Sequence, residues 1–309
     1  MKKTIALILC VCMLLTFGCK KEEAVVTRVA ALKGPTGMGL AYMMQDGSER
    51  YQIDLYDAPD AVIGKFINGE IDIAAVPINL ASTLYNKTAG NTVMIAVNTL
   101  GVLYVLENGD TIQTIGDLAG KNIYATGQGS TPEYVLNYLL EKNGLTDVNV
   151  TYVGEHAALA TMLASGEANI GMLPEPNVTV VQLKNEKTRI ALDLNTEWEA
   201  VTGQKLVQGC YIANKAFYDA HPQTIAQFIT DCGSSVEKVN MQADSAKIIA
   251  DLSILPSEAI AAKAIPSCNI VCVTGDEMKT MASAMLEILF QANPKSIGGK
   301  LPDDALYAK

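Results

Sequence analysis

The chain has 309 residues, with 23 basic and 33 acidic side chains, and its formal net charge at pH 7 is −10. Such an acidic balance argues against nucleic acid as a partner, because the phosphate backbone is itself negatively charged. With 49% hydrophobic residues, the chain is long enough to form two folded domains around buried cores.

The first residues have the order of a secretory signal. Two lysines precede an uncharged run over residues 4–17, which is shorter than the roughly 18 apolar residues expected of a spanning helix. Gly18 and Cys19 follow, and this pair resembles the lipobox of bacterial lipoproteins, although the two residues before Gly18 depart from that motif. We expect a signal peptide over residues 1–18, a lipid anchor on Cys19 and a polar tether over residues 19–24, with ordinary cleavage near Gly18 as the alternative.

Short apolar runs alternate with amphipathic segments along the rest of the chain. This alternation predicts the α/β class, with mainly parallel sheets flanked by helices. We expect strands over residues 27–32, 51–56, 71–76, 93–98, 102–106, 122–126, 149–153, 168–173, 189–194 and 207–213. Helices are expected between them, including residues 38–45 and 133–143.

An internal echo indicates that the same unit occurs twice. Residues 61–77 align without a gap on residues 158–174. In both copies a glycine ends a predicted helix and a buried strand then runs into a proline, Pro77 or Pro174. Two such units predict two lobes that face each other across a cleft, with their loops at the carboxyl ends of the strands.

The order of the units predicts how the chain divides between the lobes. We expect residues 25–99 to form the first part of lobe one, residues 100–207 to form lobe two, and residues 208–309 to return to lobe one with the C-terminal helices. Two short crossovers then act as a hinge that allows the lobes to close.

Two glycine-rich turns lead into predicted helices and offer candidate ligand contacts. Unpaired backbone N–H groups at a helix start favour an anion or a carbonyl oxygen, and glycine lets the backbone approach a ligand. The turns supply Gly34, Pro35, Thr36 and Gly37 in the first unit and Gly127, Gln128, Gly129, Ser130 and Thr131 in the second. We expect a side chain introduced at Gly37 or Gly127 to block binding and leave the fold intact.

Polar residues directly after the two echoed strands are the next candidates. Pro77, Ile78 and Asn79 follow the first, and Pro174 and Glu175 follow the second. Asn79 offers both a donor and an acceptor, and Glu175 an acceptor, although such residues also cap helices.

The single tryptophan, Trp198, is a candidate for stacking on a planar ligand. Its alternative role is that of a half-buried packing residue.

The sequence shows little that is typical of a catalytic or metal-binding site. His156 and His221 are the two histidines, and neither has a sequence partner that suggests nucleophilic or metal chemistry. We therefore expect no enzyme activity, no cofactor and no metal. Four cysteines fall in the folded part, and buried free thiols are expected; they are Cys210, Cys232, Cys268 and Cys272.

Several segments together resemble a known family, the ABC-transporter substrate-binding proteins of the periplasmic-binding-protein type II fold. The similar group contains nitrate, sulfonate and taurine binders and thiamine-precursor binders. The resemblance rests on residues 32–38, 69–74, 115–121 with 127–132, 166–171 with 174–176, and 298–302.

The resemblance implies a function, a location and partners. It implies ligand contacts from the turns and loops named above and from Thr99 at the first crossover. It also implies an extracytoplasmic monomer, held at the membrane by its lipid alone, that captures a small anionic or heterocyclic molecule by lobe closure and delivers it to an ABC permease and its ATPase. The alternatives are an enzyme on the same fold, of the kind found in pyrimidine or menaquinone biosynthesis, or a ligand sensor without a transport role.

Overall fold

Two β-sheets organise residues 26–309, the part of the chain that the computed structural model describes. The predicted signal peptide and Cys19 lie outside these residues. The strands are β1 (Thr27–Leu32), β2 (Tyr51–Tyr56), β3 (Ile73–Pro77), β4 (Thr92–Leu100), β5 (Leu103–Glu107), β6 (Asn122–Ala125), β7 (Asn149–Tyr152), β8 (Ile170–Pro174), β9 (Arg189–Asp193), β10 (Val207–Asn214) and β11 (Ile270–Val273).

The first sheet, with its helices, forms lobe one. Its strand order is β11-β4-β10-β3-β1-β2. Strand β1 is parallel to both β2 and β3. Strand β10 is antiparallel to both β3 and β4, and β11 is antiparallel to β4. In the antiparallel register Gly209 faces Pro77 and Val207 faces Leu100. The carboxyl ends of β3 and β4 therefore lie at the same sheet edge as the start of β10.

The second sheet, with its helices, forms lobe two. Its strand order is β7-β6-β8-β5-β9. Strands β7, β6 and β8 are parallel, and β5 is antiparallel to both β8 and β9. The register pairs Leu103 with Pro174, so the start of β5 lies beside the carboxyl end of β8. The predicted two-lobed α/β fold is confirmed, and each parallel group is extended by the antiparallel strands at the crossovers.

Helices connect the strands and cover the sheets. They are α1 (Pro35–Met38), α2 (Ala41–Gln45), α3 (Asp60–Ile67), α4 (Ile78–Lys87), α5 (Thr131–Lys142), α6 (His156–Ser165), α7 (Asn177–Lys184), α8 (Leu194–Thr202), α9 (Lys215–Ala220), α10 (Pro222–Met241), α11 (Ser245–Asp251), α12 (Glu258–Ala264) and α13 (Gly275–Ala292). The predicted helix over residues 38–45 is in fact two short helices. Within residues 26–309, no helix is long and apolar enough to cross a membrane.

Helix boundaries follow from local chemistry. Pro132 is compatible with the first turn of α5, where the N–H group that proline lacks would have no intrahelical partner. Gly166 ends α6 in the left-handed conformation, with φ of 80°, which a residue without a Cβ adopts at little cost. This glycine belongs to the internal echo, and it directs the chain into β8.

A buried carboxylate organises the far end of β5. Glu107 is 2% exposed, and it accepts hydrogen bonds from Thr111 N at 2.9 Å, Thr111 Oγ1 at 2.6 Å and Ile112 N at 3.2 Å. Arg189 Nη2 lies 2.6 Å from Glu107 Oε2. Burial raises the pKa of Glu107, but the hydrogen bonds from Thr111 and Ile112 and the charge of Arg189 outweigh it, so the pKa is lowered.

We expect Glu107→Gln to lower the free energy of unfolding by about 2 kcal/mol at neutral pH, because charge-assisted hydrogen bonds to buried groups are lost. A lowered pKa stabilises the fold above the unfolded-state value and loses that contribution as the pH falls through the folded-state value. The variant should therefore lose less stability on acidification than the wild type. Urea denaturation at neutral and acid pH measures both effects.

The matched control is Glu199→Gln, which removes an ion pair with Lys205 whose side chains are 45% and 46% exposed. Exposed pairs contribute roughly 0–1 kcal/mol. Equal losses in the two variants would contradict a structural role for the Glu107 carboxylate.

Candidate functional site

A cleft opens between the lobes where the carboxyl ends of the parallel strands meet. Its volume is about 530 Å³, within the roughly 300–1,000 Å³ range of small-molecule sites. Lobe one contributes Pro35, Thr36, Pro59, Asp60, Ile63, Pro77, Asn79, Leu80 and Thr99. Lobe two contributes Val102, Leu103, Ser130, Thr131, Pro132, His156, Pro174 and Glu175, and Gln208 comes from the start of β10.

On the lobe-one wall, polar groups stand at helix starts. Thr36 lies in the single-turn α1, Asp60 is the first residue of α3, and Asn79 is in the first turn of α4. Asn79 Nδ2 donates to Ser296 O over 3.4 Å, so this amide is partly engaged by the C-terminal segment. Because α1 is only four residues long, its dipole contributes little to ligand binding.

On the lobe-two wall, the start of α5 presents a free hydroxyl. Ser130 is the N-cap residue, but its Oγ donates to Gly127 O over 2.7 Å and closes the turn instead of capping the helix. The Oγ1 atom of Thr131 is buried and has no hydrogen-bond partner among the described residues. Leaving such a group unpaired costs about 1–3 kcal/mol, so Thr131 is a candidate for a ligand contact.

A second unpaired polar group belongs to Gln208, which also lines the cleft. The Nε2 atom of Gln208 is buried and lacks a hydrogen-bond partner among the described residues. It lies at the start of β10, where the chain returns from lobe two to lobe one. One free acceptor-donor hydroxyl and one free amide donor therefore line the same cavity.

Glu175 is the buried carboxylate of the cleft. It is 3% exposed, and it accepts hydrogen bonds from Thr179 N and Thr179 Oγ1, each at 3.1 Å. Burial raises the pKa of Glu175 to about 7, although the hydrogen bonds from Thr179 and the charge of Lys263 act to lower it. Near neutral pH this group is both a hydrogen-bond acceptor and a proton carrier.

His156 lines the cleft near the end of β7. Its Nδ1 lies 2.7 Å from Thr126 Oγ1, at the end of β6. This contact holds the imidazole against lobe two and leaves its other nitrogen available.

The charge of the cleft walls is acidic. Among the described residues that line it, Asp60 and Glu175 carry carboxylates and no lysine or arginine is present. Several helix starts also point their partial positive charge at the cavity, each contributing about 0.3–2 kcal/mol toward a negative group. At α3 and α7 that contribution is opposed by the neighbouring carboxylate. No cluster of metal-ligating side chains occurs within residues 26–309.

The structure brings most of the sequence-predicted residues together. The cleft contains Pro35, Thr36, Pro77, Asn79, Thr99, Ser130, Thr131, Pro174 and Glu175. Their role in ligand contact stays a prediction.

Three predicted ligand residues lie elsewhere. Gln128 and Gly129 line a separate groove between α5 of lobe two and α13 of lobe one, so the turn directs its middle residues away from the cleft. Ile78 is fully buried in the core, since the first residue of α4 points into lobe one.

Trp198 is also outside the cleft. It is 1% exposed and packs against Tyr138, with ring centroids 5.1 Å apart. Its polar sequence neighbours lie on the solvent side of α8, whereas Leu194 and Trp198, one turn apart, face the core. The structure supports the packing role and contradicts a stacking role for this residue.

The remaining three predicted residues, all glycines, serve backbone geometry. Gly34 and Gly127 have φ of 97° and 79°. A Cβ on Gly37 would lie 2.4 Å from Leu32 O, and one on Gly127 would lie 2.8 Å from Pro132 Cγ. The expectation that side chains at Gly37 and Gly127 would block binding without disturbing the fold is therefore wrong.

Sequence reasoning missed Asp60, His156 and Gln208 as cleft residues. Asp60 and His156 each begin a helix that follows a parallel strand, as the predicted residues do. Their position could have identified them, if the first helical residue after every predicted parallel strand had been considered as a candidate. Gln208 carried no such signal, because its strand is antiparallel to its neighbours.

Comparison with known proteins gives a family-model match over part of the chain and a shared fold. Residues 91–244 match a family model described as NMT1/THI5 like. An ABC transporter structure from Parabacteroides distasonis has a TM-score of 0.80 with 24% identity, covering 93% of this chain and 99% of that one. The chain has the fold of the ABC-transporter substrate-binding proteins. This confirms the fold that the resemblance implies.

Two further solved structures share this fold. The periplasmic aliphatic sulphonate binding protein SsuA from Escherichia coli has a TM-score of 0.72 with 18% identity, over 90% of this chain and 92% of that one. The alkanesulfonate-binding protein SsuA from Xanthomonas axonopodis, bound to MOPS, has a TM-score of 0.64 with 18% identity, over 90% and 94%. No curated protein matches this sequence.

We expect Gly37→Ala to lower the free energy of unfolding by about 1–3 kcal/mol, because a Cβ at this position collides with the backbone of β1. The matched control is Gly64→Ala in α3, where nothing lies within 4 Å of the added atom. That change should stabilise the protein by roughly 0.5–1 kcal/mol. Chemical denaturation measures both, and a Gly37→Ala variant as stable as the wild type would show that the turn is not held by packing.

Proposed function

We propose that the chain is an extracytoplasmic solute-binding protein that closes its two lobes on one small molecule and delivers it to an ABC importer. The observation that carries the proposal is the cleft itself, since a cavity of ligand size lies at the carboxyl ends of both parallel groups and contains unpaired buried polar atoms. The solute-binding proteins with which the chain shares its fold support the same role.

The proposed ligand is an uncharged or cationic molecule that carries N–H donors, such as an amine or a nitrogen heterocycle. Glu175 would accept from a ligand donor, and Thr131 with Gln208 would satisfy a ligand acceptor. An anion such as a sulfonate would meet two carboxylates and no lysine or arginine among the described lining residues. The sulfonate ligands of the SsuA proteins therefore do not carry over to this chain.

Lobe closure is the proposed binding step. The chain passes from lobe one to lobe two at residues 101–102 and returns at residues 203–206, between α8 and β10, so two short connections carry the hinge. We assign residues 25–99 and 208–309 to one lobe and residues 100–207 to the other, with Leu100 and Val207, which pair in the first sheet, at the boundary. We propose that the protein binds its ligand as a monomer and does not convert it chemically. An ABC permease then binds the closed form.

We expect Glu175→Gln to weaken binding of an N–H-bearing cationic ligand by about 10- to 100-fold, because glutamine lacks the negative charge that strengthens a hydrogen bond from a cation. For the wild type, affinity for such a ligand should rise as the pH increases through about 7, the pKa of Glu175. Isothermal titration calorimetry with a panel of amines, aminated heterocycles, nitrate and aliphatic sulfonates measures both.

The control for this experiment is Glu141→Gln, at an exposed carboxylate near the far end of α5. It should leave affinity unchanged. Thermal denaturation establishes that Glu175→Gln remains folded, since the amide oxygen of glutamine still accepts from Thr179. Tight binding of nitrate or sulfonates that is indifferent to Glu175→Gln would refute the ligand class, and no binding by any panel member would count against the proposed function.

Anchoring is tested at Cys19. We expect the wild-type protein to stay with the membrane fraction of expressing cells and to incorporate labelled fatty acid. Cys19→Ser should release it to the soluble extracytoplasmic fraction, because the thiol that carries the lipid is gone. A wild-type protein that is soluble and unlabelled outside the cytoplasm would instead support ordinary cleavage near Gly18.

A further inference from the structure

Two cysteines face each other in the interior of lobe one. Cys232 is on α10 and Cys272 is on β11, and these elements pack together over one side of the first sheet. Cys272 Sγ lies 3.9 Å from Ile229 O, which is one turn before Cys232 on the same helix. The sulfur of Cys272 is thus seated against the turn that carries Cys232.

The two thiols also affect each other's ionisation. Interaction with Cys272 raises the pKa of Cys232, and burial raises it further; interaction with Cys232 lowers the pKa of Cys272, and burial opposes that change. Cys232 is fully buried, whereas Cys272 is partly exposed. Cys272 is therefore the more accessible thiol and the better nucleophile of the two.

The other two cysteines are placed differently. Cys210 belongs to the core on the opposite face of the first sheet, and its Sγ contacts Val76 O at 3.8 Å. Cys268 is fully buried just before β11. Burial raises its pKa, and the negative charge of Glu175 adds a smaller increase. Cys232 and Cys272 are therefore the pair carried by two packed elements, α10 and β11.

We propose that Cys232 and Cys272 form a disulfide when the folded protein meets a disulfide oxidant on the extracytoplasmic side of the membrane. The Cys272 thiolate attacks one sulfur of the oxidant and expels the other as a thiolate. The Cys232 sulfur, after losing its proton, then attacks Cys272 and expels the second oxidant thiol. Two thiol protons are lost, and the oxidant takes up two electrons, so that a protein dithiol and an external disulfide become a protein disulfide and an external dithiol.

The bond would tie together the part of lobe one that borders lobe two. The enclosed segment contains Ile254, whose carbonyl accepts from Gly34 N over 3.1 Å, and Ser267, whose carbonyl accepts from Tyr104 Oη of lobe two over 2.9 Å. Fastening this segment to α10 limits the conformations of the unfolded chain and stabilises the wall that meets lobe two.

The test oxidises reduced, purified protein with excess glutathione disulfide, alkylates the remaining thiols and maps peptides by mass spectrometry. We expect a single cross-linked pair joining Cys232 to Cys272, a loss of two hydrogen atoms from the intact mass, and a Tm that rises by about 5 °C or more. The Cys210→Ala and Cys268→Ala variants should form the same link.

The informative variant is Cys272→Ala. Cys272 is only partly buried and alanine is slightly smaller than cysteine, so the fold should tolerate the substitution. The variant should show neither the mass loss nor the rise in Tm. The proposal is overturned if the mass loss persists in Cys272→Ala, if all four thiols of the oxidised wild type are alkylated, or if oxidation stops at a mixed disulfide with glutathione.

Discussion

The pairing of β4 with β10 is the constraint on which the rest of the structure depends. These strands lie side by side and antiparallel in the first sheet, and Leu100 at the end of one faces Val207 at the start of the other. Both crossovers to lobe two therefore leave from one point of the sheet. Gly101 at the first crossover has no room for a Cβ, which would lie 2.7 Å from Asn195, so the crossing point is tightly packed as well as short.

That common exit fixes where a ligand can bind. The carboxyl ends of β1 and β3 point toward the crossovers from lobe one, and those of β6 and β8 do so from lobe two. The helices that follow these strands begin at the same edge, and so the polar residues of their first turns converge without being near in sequence. The acidic balance of the resulting cleft arises from Asp60 and Glu175, one from each lobe.

Much of this arrangement could be predicted from the sequence. Residues 27–32 and 51–56 are strands with the predicted bounds, because the first is a short, mainly apolar run and the second alternates apolar with polar residues. The internal echo predicted that Pro77 and Pro174 occupy equivalent places, and both line the cleft. The echo was informative because a helix stop and a buried strand recur in the same order.

Other features depend on tertiary contacts that sequence patterns do not encode. Strand β11 has four residues and is defined only by its pairing with β4, so the C-terminal region was expected to be helical. The direction of the crossover strands, the burial of Trp198 and the position of Cys272 against the helical turn before Cys232 likewise follow from packing. Periodicity reports which face of an element is buried, but it does not report which element covers that face.

Native mass spectrometry of protein freshly purified from its own cells tests the central claim most directly. We predict a one-to-one adduct with a small molecule that carries nitrogen and no net negative charge, and we predict that Leu80→Trp, which fills the cleft from the lobe-one wall, abolishes it. An adduct that persists in Leu80→Trp at equal occupancy, or a bound anion in the wild type, would contradict the account.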